Sequence, residues 1–170
     1  MPLDDRLKKL PQSPRNAIGT TGTGVAAKIG GPQIVGLDAE TGAEAWRLGT
    51  IAKPGEPGDE SWNGIPFDER SGASVWTPGS YDASTGLAYF GTGNTYDTGP
   101  LLEPNAPGTT SDTLYTNSTL AVNPDTGALV WHFQHFPNDQ WDLDWAFERQ
   151  ILEVPVNGTT RRVVLTAGKI

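Results

Sequence analysis

The sequence has no cysteine, one methionine and two histidines among its 170 residues. Without thiols there can be no disulfide, no thiolate zinc site and no cysteine nucleophile, although this absence does not decide the compartment. The histidines, His132 and His135, stand three apart in WHFQHF. In an alternating strand they would face opposite sides, so they read as ordinary strand residues rather than as a metal pair. Basic residues are also few, 12 Lys plus Arg against 20 Asp plus Glu for a formal charge of -8. That balance argues against nucleic acid as a partner, because phosphate binding needs clustered positive charge. No apolar run approaches the roughly 18 residues that a membrane-spanning helix requires, and the opening MPLDDRLKKLPQSPR lacks the apolar core of a secretory signal. As given, the chain reads as soluble and without an address.

What the chain has in quantity is punctuation. With 21 Gly and 14 Pro it is rich in turns and poor in uninterrupted helix-forming runs, so long helices are not expected. Charge is uneven. Residues 1–30 carry Arg6, Lys8, Lys9, Arg15 and Lys28 against Asp4 and Asp5, a net of +3, which leaves -11 for the rest. This polar, Gly/Thr-rich beginning reads as an atypical, poorly ordered terminal segment ahead of a different unit at 31–170.

A repeat organises the remainder. LDAETGAEAW (37–46) and VNPDTGALVW (122–131) share a turn ending in Thr-Gly, with tryptophan four residues after the glycine, and YDASTGLAYF (81–90) is a weaker copy. Apolar runs flank each turn, so each copy reads as a β-hairpin whose glycine supplies the positive backbone angle. The turns begin at Asp38, Asp82 and Asn123, a spacing of 44 and then 41 residues. A period of 40 to 45 residues with strand-turn-strand content is that of four-stranded propeller blades. The expected fold is therefore all-β, a partial propeller of about three to four blades. Trp46 and Trp131 are expected to seal one blade against the next rather than to hold a ligand.

PNDQWDLDWAFE (137–148) packs four acidic side chains and two tryptophans into twelve positions. If this piece is extended, Asp142 and Asp144 point to one face and their carboxylates converge, which calls for a cation, a proton or water between them. On these residues alone a solvated surface cluster and a cation site both stand.

Taken together, the turn D-x-x-T-G-x-x-x-W, PGEPGDESW (54–62), SVWTPGSYDASTGLAYFGTGN (74–94), YTNSTLAVNPDTGALVWHFQHFPNDQWDLDWAFE (115–148) and the closing LTAGK resemble the pyrroloquinoline quinone (PQQ)-dependent alcohol dehydrogenases, the methanol/ethanol dehydrogenase family. The resemblance covers roughly residues 30 to 170. Members are eight-bladed propellers several times longer, so it implies that the sequence is an internal piece of one. It implies roles as well. Asn94 in GTGN would place an amide oxygen on the metal beside PQQ, a hard cation such as calcium. Trp76, eighteen positions earlier, would form the floor under the quinone ring, with Ser74 hydrogen-bonding the cofactor. Asp142 would be the catalytic base and a metal neighbour, taking the hydroxyl proton of an alcohol as hydride moves to the quinone. Asp144, two positions on, would be the extra anionic ligand of enzymes that can hold a lanthanide ion in place of calcium. Lys169 would reach the quinone oxygens.

The resemblance further implies a primary alcohol as substrate, a cytochrome c or quinone electron acceptor and a periplasmic location. One departure is plain. The family has a metal-ligand glutamate about eleven positions before the first turn aspartate, and here that position is Ala27, with no carboxylate between residues 6 and 37. Its adjacent-cysteine pair is missing too. Weak or absent cofactor binding by the chain alone is the expectation. A non-catalytic propeller scaffold of the bacterial envelope and a sugar-oxidising quinoprotein are the alternatives. The conjunction of Trp76, Asn94 and Asp142 separates the dehydrogenase from the scaffold.

Overall fold

The computed structural model describes residues 31–170 in full and the backbone of 16–21. The other residues of the basic segment 1–30, and Ala27 with them, lie outside the described residues. Within that segment Asn16–Thr21 is the first strand, β1, paired antiparallel with β2 (Gln33–Asp38), so the first sheet begins before residue 30. The chain then continues as β3 (Glu44–Gly49), β4 (Ser80–Asp82), β5 (Leu87–Gly91), β6 (Ser118–Val122), β7 (Leu129–Gln134), β8 (Gln150–Val156) and β9 (Thr159–Leu165). These form three antiparallel meanders in chain order: β1-β2-β3, the complete four-stranded β4-β5-β6-β7, and the hairpin β8-β9. Among the described residues the only helices are short 3-10 turns, as the Gly and Pro content predicts.

All three repeated turns are hairpin turns built in one way. The Asp38 carboxylate accepts the N–H groups of Glu40 and Thr41 and the Thr41 hydroxyl; Asp82 accepts the N–H and hydroxyl of Ser84; the Asn123 amide oxygen accepts from Asp125 and Thr126. Four residues after each, Gly42, Gly86 and Gly127 sit at φ of 73°, 70° and 73° and return an N–H to the first residue's carbonyl. A side-chain oxygen thus closes the turn and glycine permits its left-handed exit.

Trp46 seals the first sheet to the second, as expected. Its indole passes over Gly36 on its own sheet and presses on Gly127 in the β6–β7 turn, where a Cβ would come within 2.6 Å of the ring. Its Nε1–H donates to the Pro124 carbonyl at 2.8 Å. With Ile34, Val75, Ala88, Phe90, Leu120 and Val122 it makes the main core. Trp131 has no such cover among the described residues. It is 38% exposed and leans on Tyr89, ring centroids 5.7 Å apart.

The segment joining β3 to β4 folds on itself around Trp62, Ile51, Ala52 and Ala73. Trp62 donates to the Leu114 carbonyl, and Arg70, buried beside its ring, donates to the carbonyls of Ile65 and Ala52 and to Asp59. This packing brings Gly72–Ser74 against the strand end at Asn94 and Thr95, where Ala73 donates to the Asn94 carbonyl. Both stretches later contribute to the candidate site.

Candidate active site

Residues 139–148, within the connection from β7 to β8, form no strand, which corrects the extended reading of this stretch. Asp142 and Asp144 both adopt left-handed backbone, φ 59° and 42°. Their carboxylates converge nonetheless. Lys169 Nζ lies 3.4 Å from Asp142 Oδ1 and 2.9 Å from Asp144 Oδ2, and also donates to the Asp142 carbonyl at 2.7 Å. The Lys169 N–H donates to the Leu143 carbonyl, so the TAGK stretch is tied to the acidic loop by backbone and side chain together. Hydrogen bonding to Asp144, reinforced by its charge and by Asp142, raises the ammonium above its ordinary pKa. The carboxylates differ in setting: the Asp142 side chain is 69% exposed and that of Asp144 only 11%.

Asp144 joins this loop to the second sheet. Its Oδ1 accepts the Asn94 N–H at 3.2 Å and packs on Gly93, where a Cβ would lie 2.9 Å from that oxygen and 3.3 Å from Trp76 Nε1. Glycine at 93 therefore lets the indole of Trp76 and the carboxylate of Asp144 share one patch of backbone. Trp76 is half exposed and held edge-on by Phe147, centroids 5.6 Å apart. The Asn94 amide nitrogen donates to the Thr95 carbonyl, which leaves the amide oxygen as its donor atom toward a cation. Ser74 is different. It is fully buried, its hydroxyl engages the Tyr96 phenol, and its carbonyl accepts from Gly93, so it supports the site from behind.

Behind the loop, His135 stacks flat on Trp145, 4.4 Å between centroids and 3° between planes, and its Nε2 pairs with Thr119 Oγ1. Burial, with a contribution from Arg149, pushes its pKa down to about 4. Arg149, itself buried, donates to Thr119 Oγ1 and to the carbonyls of Ser118 and Phe147, and burial lowers its pKa to about 10. His132 lies elsewhere, edge-on to Tyr115. The strand reading holds for His132 alone: β7 ends at Gln134, and His135 lies just past it, against Trp145.

A family model for the glucose/ethanol/alcohol dehydrogenase β-propeller domain, the PQQ domain, matches residues 19–170. The chain belongs to the PQQ β-propeller family. Its three meanders are accordingly blades of a partial propeller. Among the relatives, quinohemoprotein alcohol dehydrogenase ADH-IIG of Pseudomonas putida is 35% identical over 148 residues, 80% of this chain and 20% of the relative. The dehydrogenase subunit of alcohol dehydrogenase (quinone) from Gluconobacter oxydans is 35% identical over 151 residues, with the same coverage. The solved structure of ADHIIG from Pseudomonas putida HK5 superposes with a TM-score of 0.73 at 31% identity, covering 92% of this chain and 24% of that one. A europium-containing methanol dehydrogenase reaches a TM-score of 0.77 over 91% of this chain and 28% of that one, at 20% identity, which speaks for the fold. The chain spans about a fifth of the length of the curated relatives it matches.

The residues present fit a quinone and a hard cation on three counts. Trp76 offers a half-exposed indole, brought beside Asp144 by the bare backbone of Gly93. A cation, the Lys169 ammonium, already stands between two carboxylates. Asn94, Asp142 and Asp144 offer only oxygen atoms, the donors that calcium and lanthanide ions take. The set is partial: among the described residues no group of three or more acidic or histidine side chains is arranged to hold a metal. The surface cavities of about 550 Å³ beside Arg70 and about 290 Å³ beside Phe147 and Thr166 are lined by other residues. Trp76, Asn94, Asp142, Asp144 and Lys169 are brought together, and Ser74 stands one layer back. Reading the sequence missed Gly93, which lies inside GTGN, and Asp139, whose place two residues before Trp141 is an Asx-turn signal.

Proposed function

We propose that residues 31–170 are the part of a PQQ- and metal-dependent alcohol dehydrogenase that carries its catalytic base and one side of its cofactor site. The observation that supports this most is the contact chain Trp76, Gly93, Asp144, Lys169, Asp142, which gathers the floor, the ligand carboxylate, the cation and the base within one neighbourhood. When bound, the quinone would supply the hydride acceptor and the metal the Lewis acid that polarises it. Trp76 presents a flat face that fixes the plane of a flat ring. Asn94 Oδ1 and the Asp144 carboxylate are the metal ligands on this side, with Asp142 beside them. Asp142, the most exposed carboxylate of the group, receives the alcohol's hydroxyl proton on Oδ2, since Oδ1 faces Lys169. Lys169 holds positive charge where negative charge would build on the reduced ring. Ser74 acts through Tyr96 and Gly93 as a support.

Asp144 adds one negative charge to the ligand set, which suits a lanthanide as well as calcium. An alcohol as substrate accords with the relatives' names, as do a cytochrome c or quinone acceptor; a primary alcohol and a periplasmic location are the finer parts of the proposal.

The test is a transplant. Residues 31–170 replace the matching stretch of ADH-IIG, and PQQ uptake and dye-coupled alcohol oxidation are measured. Turnover that falls by about 10²–10⁴-fold in Asp142→Ala, with PQQ still bound, supports the assignment. A folded chimaera that takes up no PQQ would leave the scaffold reading instead, and an Asp142→Ala variant of normal turnover would refute Asp142 as the base.

A further inference from the structure

Asp142 and Asp144 hold left-handed backbone two residues apart, a conformation that aspartate tolerates but does not favour, so other side chains must hold them there. The hold comes from two side chains with no exposure at all, Asp139 and Asn117. Asp139 Oδ1 accepts the Trp141 N–H at 2.9 Å, and Oδ2 accepts the Leu143 N–H at 2.8 Å and the Asn117 amide at 2.8 Å. Asn117 Oδ1 accepts the Trp145 N–H at 3.2 Å. The amides at 141, 143 and 145, which bracket the two aspartates, are thus all captured from one side. Residues 142 and 144 are left to turn toward Lys169.

Asn117 is anchored in turn. Its own N–H donates to the Gly93 carbonyl and its carbonyl accepts from His135, both at 2.9 Å. One residue therefore ties the Gly93–Asn94 end of the second sheet to the loop that carries the base. The chemistry of the pair is specific. A neutral amide can give one hydrogen bond to Asp139 and take one from Trp145, whereas a carboxylate at 117 would face a carboxylate.

We propose that Asn117 and Asp139 are positioning residues that set Asp142 and Asp144 for cation binding, touching neither cation nor substrate; this rests on the functional reading above. Groups in this position around a metal site are commonly worth 10- to 100-fold in metal affinity.

The experiment uses the chain with terbium as probe, read by tryptophan-sensitised luminescence, beside amide hydrogen exchange and thermal melting of the β-structure. In Asp139→Asn, and in Asn117→Asp should the first variant not fold, exchange should quicken selectively at 141, 143 and 145. Terbium affinity should drop at least about 10-fold while the melt stays cooperative. Unchanged affinity despite lost protection, or affinity lost only together with the whole melt, overturns the proposal. Asp142→Asn and Asp144→Asn separate it from the site reading. If these variants bind terbium as well as the wild-type chain does, the site reading fails; no uptake by the chain alone is already expected from the missing glutamate and does not count against it. Selective exchange at the three amides then decides by itself whether the pair positions the loop.

Discussion

Replacing Trp46 by alanine tests the blade-sealing role of the repeated tryptophan. The indole is 9% exposed, lies over two glycines and donates to the Pro124 carbonyl. An aromatic side chain buried to this degree removes about 150–250 Å² from water, which at roughly 25 cal/mol per Å² corresponds to about 4–6 kcal/mol. Because the surroundings relax partly into the space, the expected loss is about 3–5 kcal/mol, a large share of a small domain's stability. Trp46→Phe keeps most of the contact and loses the N–H donor, so about 1–2 kcal/mol is expected from hydrogen bond and volume together. Trp131→Ala removes a side chain that is 38% exposed with one aromatic neighbour, and about 1 kcal/mol should go with it. Urea unfolding followed by circular dichroism, with the denaturant slope checked for constancy, measures all three. Equal losses for Trp46→Ala and Trp131→Ala would refute the reasoning, because they would make stability depend on the repeat position and not on what covers it.

The remaining expectations concern charge. His135, held near a pKa of about 4 by burial and by Arg149, is neutral in the folded chain where it would be charged in the unfolded one at pH 5. Its contribution is present in full above the unfolded pKa of about 6.5 and is lost as the pH falls from there through 4, so stability should decline on acidification across that window. An imidazole titration by NMR with a midpoint near 6.5 would contradict this. Lys169→Ala removes the ammonium that occupies the two carboxylates, and should tighten terbium binding several-fold while abolishing PQQ-dependent turnover in the chimaera; weaker terbium binding would mean that Lys169 orders the site rather than competes for it.

The hairpins were legible because their chemistry is local. An Asx side chain, a glycine four residues on and a flanking apolar run all lie within ten residues, and each contributes its own hydrogen bond or backbone angle. The Asn157-Gly158 turn between β8 and β9 carries the same kind of signal. The two long connections, from β3 to β4 and from β5 to β6, were not legible. Their order comes from contacts between distant residues, such as Trp62 with Leu114 and Arg70 with Ala52, which no local pattern announces. β1 was hidden for another reason: NAIGTT is short, small and polar, and becomes a strand by pairing with β2. At the candidate site, Trp76, Asn94 and Asp142 were singled out by resemblance. Asn117 and Asp139 were missed because their partnership spans 22 residues and is made of buried polar atoms.

The way Asp142 and Asp144 converge explains why the loop is built from left-handed residues rather than from a strand. Alternate residues of a strand share a face, but they lie about 6.6 Å apart along it and offer their backbone amides to a neighbouring strand. Here those amides turn inward to Asp139 and Asn117. The loop therefore needs no strand partner, and both carboxylates reach a single ammonium. That arrangement has an electrostatic consequence. Two carboxylates around one ammonium leave a net negative charge, and Asp144 is nearly buried, where an unbalanced charge is expensive. A divalent or trivalent ion at Asn94 and Asp144 would neutralise the pair more completely than Lys169 can, and would release the lysine from Asp144. In the proposed reading the same lysine thus has two places, on the carboxylates when the ion is absent and toward the ring when it is present. The TAGK stretch is tied to the acidic loop through the Lys169 N–H and the Leu143 carbonyl, so this change would fall on the lysine side chain alone.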